Sequence, residues 1–62
     1  MEEQFYVDEG GSVWSTVVGT MHLSVTRLTD VRLLEGKYET SFGMTVRERR
    51  AAQSLREQGW LK

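Results

Sequence analysis

The sequence predicts an α+β fold: an antiparallel meander of four or five strands followed by one C-terminal helix packed on the sheet. Three observations carry that expectation. Residues 4–42 are rich in β-branched and aromatic side chains punctuated by glycine. Residues 21–27 alternate between apolar and polar types with a period of two. After Thr45 the period changes, and a helix-start signature precedes a run of good helix formers. A small closed β-barrel with the helix at one end is the alternative architecture.

The first strand is expected over about 4–8, where Phe5, Tyr6 and Val7 stand together. Gly10-Gly11 can form a two-residue turn because glycine accepts positive φ without steric cost. The return strand covers 12–18, Gly19-Thr20 is the next turn, and a third strand covers 21–27. With both turns two residues long, Phe5, Val7, Trp14, Val18, Met21, Leu23 and Val25 share one face. A slip of one residue would scatter that set, so it is the expected core side of the sheet. Tyr6 falls on the opposite face.

A second hairpin is expected over 31–34 and 37–42 around Glu35-Gly36. It sets Leu33 against Tyr38, Val31 against Thr40, and Arg32 against Glu39 as a cross-strand charge pair. Tyr38 and Phe42 then line its core side. Joining it in phase with the first three strands requires an odd loop or a bulge near Leu28 to Asp30. The helix is expected over about 46–58. Thr45 and Glu48 match the capping box, and Gly59 suits the position just past a helix end. Its apolar stripe is thin: Val46, Ala51, Ala52 and Leu55.

A chain of 62 residues is read as a single small domain, 1–62. A core of that size supplies only about 3–5 kcal/mol. There is no cysteine, and His22 is the only histidine, so neither a disulfide nor a structural zinc site is expected to reinforce it. Association is the remaining means of reinforcement, hence an expected homodimer. No apolar run approaches the roughly 20 residues of a membrane span. The acidic N-terminus does not fit a secretory signal. The expectations are therefore a cytoplasmic protein with no membrane partner.

Charge is divided along the chain. Met1 to Thr26 holds four acids and no Lys or Arg, a charge of −4; Arg47 to Lys62 holds five bases against two acids, a charge of +3. Catalytic machinery is not expected. His22 falls on a polar strand face with Ser24, which is poorly placed for a nucleophile–base pair. Glu2-Glu3 and Asp8-Glu9 fit solvation at a terminus and a turn. Gly10-Gly11 lacks the spacing and following helix of a phosphate loop. No cofactor or metal ligand set is expected.

The candidate contact residues are Arg47, Arg50, Arg56 and Trp60, with Tyr6 next. Tryptophan and arginine are both enriched where binding energy concentrates, and the arginine fork donates paired hydrogen bonds. The competing account makes the arginines the solvated side of an amphipathic helix, paired with the acidic strands. The function expected from these features is a small non-enzymatic interaction module that regulates or inhibits a larger protein. Nucleic-acid binding by the same helix is the second reading. It is weighed down by a pI near 5.7 and by Glu48 and Glu57 within the basic run.

Overall fold

The computed structural model describes residues 2–61. It is α+β, with three antiparallel strands in one open sheet and two helices. The strands are β1 (Glu2–Val7), β2 (Ser12–Val18) and β3 (Leu23–Asp30), in spatial order β1-β2-β3. The helices are α1 (Val31–Thr40) and α2 (Val46–Glu57). The sheet does not close, so the barrel alternative is set aside.

The predicted second hairpin, 31–34 with 37–42, is instead α1. Asp30 has extended backbone, and its carboxylate accepts the Arg32 backbone N–H at 2.8 Å, which starts the helix directly at the end of β3. Val31, Leu34 and Tyr38 then recur at helical spacing and pack on the core. The run that read as Val-Arg-Leu-Leu, turn, strand also fits a helix with Gly36 on its exposed side. Phe42, expected on the core side of that hairpin, lies beyond α1 and is exposed.

The helix expected over 46–58 is present as α2, with the capping box complete. Thr45 Oγ1 accepts the Glu48 N–H at 3.0 Å, and Glu48 Oε1 accepts the Thr45 N–H at 3.0 Å. Its C-terminus closes as a Schellman motif. Gly59 stands at φ 94°, its N–H donates to Arg56 C=O, and the Trp60 N–H reaches Leu55 C=O at 2.9 Å. The fold-back delivers Leu61, rather than Trp60, into the core. Val46, counted in the apolar stripe, is exposed.

Register departs from expectation at both turns. Val7 pairs with Val13, Phe5 with Ser15 and Glu3 with Val17. The Gly10-Gly11 turn is therefore wider than two residues. Asp8 builds it: its Oδ1 accepts the Gly10 and Ser12 N–H groups, each at 2.9 Å, and Gly11 takes φ 84°. The second turn runs from Gly19 to His22, so Val18 pairs with Leu23. The first change shifts β1 against β2 by one residue, which moves Trp14 to the face opposite Phe5 and Val7. A bulge at Leu28, between the Trp14–Arg27 and Val13–Thr29 pairs, turns Leu28 onto the core side.

The core thus lies on the face carrying Phe5, Val7 and Val13. There Leu34, Ala51, Ala52, Leu55 and Leu61 close over it. Ala51 and Ala52 are fully buried in it. Helix α2 packs along β1, from Phe5 beside Gln58 to Glu3 beside Arg47, and α1 packs against β3. The extents are 37 × 24 × 18 Å and the radius of gyration is 11.5 Å, against about 10.6 Å for a compact chain of this length. The accessible surface of 4721 Å² likewise exceeds the roughly 4,100 Å² typical of the mass. No helix among the described residues is long and apolar enough to cross a membrane.

Candidate interaction surfaces

The five predicted contact residues do not form one surface. Arg47 and Arg50 come together on the β1 side of α2. The Arg47 Nε donates to Glu3 Oε2 at 2.9 Å and its Nη2 reaches Ser15 Oγ at 3.4 Å. Ser15 is fully buried, and its hydroxyl donates to the same Glu3 oxygen at 2.7 Å. These bonds, the Ser15 hydroxyl first and Arg47 second, hold the Glu3 carboxyl below its ordinary value, with Arg50 adding a weaker attraction. Arg47 is thereby committed to a partner within the chain.

Two open grooves flank this cluster. One, of about 420 Å³, is lined by Glu3, Val17, Arg47 and Arg50. The other, of about 410 Å³, is lined by Glu3, Phe5, Arg50, Gln53, Ser54 and Glu57. Both mix carboxylate with guanidinium, so neither presents the unopposed positive field that phosphate recognition needs. Arg56 is exposed on the last turn of α2, on the flank away from Arg47. Trp60 lies past the helix end with about half its surface exposed. Lys62 lies outside the described residues. His22, expected on a strand face, is exposed in the Gly19–His22 turn between β2 and β3.

Tyr6 is on the far side of the sheet, and the residues around it were assigned by sequence to the core. The observed register aligns three rows across this outer face: Tyr6–Trp14–Arg27, Gln4–Thr16–Val25 and Glu2–Val18–Leu23. Neither helix covers it. Tyr6 is 41% exposed, Val18 49%, Val25 49% and Leu23 67%. Trp14 is fixed by its indole N–H, which donates to Asp8 Oδ2 at 2.7 Å. That bond is the largest cause holding the Asp8 carboxyl below its ordinary value, followed by the Ser12 and Gly10 backbone N–H groups. Arg27 is steadied by its Nε donating to Ser12 Oγ at 3.1 Å.

Among known proteins, no family, no curated protein and no solved structure matches the chain.

Trp14, Arg27, Val18, Leu23 and Val25 are the contact candidates that sequence reasoning missed. The available signal was β2 itself. Val13, Ser15 and Val17 on one face are no more apolar than Trp14, Thr16 and Val18 on the other. A strand apolar on both sides implies two covered faces, and among the described residues only one is covered.

Proposed function

We propose that the protein is a small non-enzymatic interaction module that binds another protein through the open face of its sheet. The observation that carries this reading is the Tyr6–Trp14–Arg27 row, continued by exposed Val18, Leu23 and Val25 on the same face. Tyrosine, tryptophan and arginine are the residues in which interface binding energy concentrates, and here they stand side by side across three paired strands. Trp14 and Arg27 are held in place by Asp8 and Ser12, so ordering them costs little on binding.

The basic helix supports this function less well than the sequence suggested. Arg47 is occupied by Glu3 and Ser15, and Glu3 and Glu57 line the grooves beside Arg50. These same carboxylates weigh against the nucleic-acid reading.

The test is site-specific photo-crosslinking. A photoreactive side chain at Thr16, in the middle of the outer face, is expected to capture a discrete partner. One at Gln53, on the exposed side of α2, is not. Excess unlabelled protein should compete, and the Tyr6→Ala/Arg27→Ala double variant should not. Capture at position 53 alone, or equal competition by the double variant, would move the contact surface off the sheet.

A further inference from the structure

The free edge of β3 is of a different kind from the free edge of β1. In an antiparallel ladder, residues alternately turn their backbone N–H and C=O toward the neighbouring strand and away from it. The Gly19 N–H donates to His22 C=O at 2.8 Å, which makes that pair a bonded one. Counting along the register, Ser24 and Thr26 turn toward β2, while Leu23, Val25 and Arg27 turn their N–H and C=O outward. The same count on the other side starts from the Asp8 N–H donating to Ser12 C=O, and turns Phe5 outward on β1. There the Gln58 Nε2 donates to Phe5 C=O at 2.9 Å. Part of the β1 edge, the Phe5 carbonyl, is thus occupied by α2. No hydrogen bond reaches the outward groups of Leu23, Val25 or Arg27 among the described residues.

From this edge we infer that the protein forms a two-fold dimer by antiparallel pairing of β3 with β3 of a second copy. Natural edge strands are blunted by proline, lysine, bulges or a covering element. Residues 23–26 contain none of these, and the only bulge comes after Arg27, at Leu28. The strand is also self-complementary. Paired residues must lie on the same sheet face, so the axis passes beside a residue and not between two.

An axis at Val25 uses the whole regular stretch. It sets Val25 against Val25, Ser24 against Thr26 and Leu23 against Arg27, apolar stem against apolar side chain. Arg27 is the only charge in 23–27, and this register keeps the two copies of it at opposite ends of the ladder. The outward residues Leu23, Val25 and Arg27 all find bonded partners. The contact uses the same strand of both copies, so it closes at two, and Gln58 on the Phe5 carbonyl obstructs the remaining sheet edge. The dimer is independent of the outer-face reading: it uses the edge, and it leaves both outer faces open on the same side of a merged sheet.

Sedimentation over a concentration series tests it, with twice the 7.2 kDa chain mass expected at high concentration. Val25→Pro removes an N–H that no β2 group uses, so it should weaken dimerisation by about tenfold or more while the melting curve changes little. Val25→Lys sets two like charges against each other at the axis and decides alone if the proline variant unfolds. The cysteine-free chain also allows a register test. Val25→Cys places the two Cα atoms about 5.5 Å apart, within disulfide range, whereas Leu23→Cys places them more than about 13 Å apart. Val25→Cys should cross-link on mild oxidation and Leu23→Cys should not. A monomer at every concentration up to about 1 mM would overturn the inference. So would a dimer that survives both Val25→Pro and Val25→Lys.

Discussion

Asp8 organises the first hairpin with one carboxylate. It accepts two backbone N–H groups in the turn and the Trp14 indole N–H on the outer face. Asp8→Asn should therefore lower the melting temperature more than Glu9→Gln, and should alter Trp14 fluorescence, whereas Glu9→Gln should leave it unchanged. Glu3 and Glu48 are the other carboxyls held low, Glu3 by Ser15 and Arg47, and Glu48 by Lys37 at 2.8 Å and by the Thr45 cap. Each binds its proton less readily folded than unfolded. Their stabilisation is complete above the ordinary values of 3.8 for Asp and 4.5 for Glu and is lost as pH falls through the lower folded values. Denaturation midpoints should stay flat from about pH 7 to about pH 5 and fall steeply below about pH 4. Glu48→Gln should shallow that fall. Little of this network was legible in advance: Glu3 and Ser15 meet only because of the actual register, and Arg47 meets them only because α2 crosses beside β1.

Helix α1 and the register of β2 are where sequence and structure part. Residues 31–40 carry both a hairpin reading and a helical one, since short apolar runs do not distinguish the two periods. What decides is Asp30, a strong N-cap placed where β3 ends. Gly36 separates the two accounts by experiment. As a hairpin turn residue it would need positive φ, and alanine would harm the protein. In α1 a Cβ at Gly36 meets nothing within 4 Å. Gly36→Ala should therefore stabilise by about 0.5–1 kcal/mol, and Asp30→Ala should cost about 1 kcal/mol, both read from urea midpoints. By contrast, β1, β2 and α2 were legible to within a residue or two. β2 is bounded by turn residues, and α2 carries an explicit capping box and a C-terminal glycine. Register was not legible because β2 is apolar on both faces, so either phase gives a plausible core. The outer surface was lost with it: Trp14 could not be recognised as a surface residue while it was counted inside.

The core rests on few side chains, with Leu34, Leu55 and Val13 the largest that are fully buried and apolar. Leu34→Ala or Leu55→Ala should cost about 2–5 kcal/mol, comparable with the whole stability of a domain this size. Circular dichroism at 25 °C should show either variant substantially unfolded. The division of charge between the two ends of the chain has a local resolution in the Glu3–Arg47 pair. One more consequence follows from the fold-back after Gly59. Leu61 sits in the same cluster as Phe5, and Gln58 holds the Phe5 carbonyl across 53 positions of sequence. The earliest strand is thus completed by the latest turn. On the ribosome, β1 emerges seconds before its partners in α2 at roughly 5–20 residues per second. During that interval α1 has been made, but the α2 and Leu61 side chains that complete the cluster around Phe5 are missing. The domain can reach its final state only after residue 61 has cleared the exit tunnel. A nascent chain stalled with that residue still inside should remain sensitive to protease, and one stalled after a linker long enough to release it should become resistant.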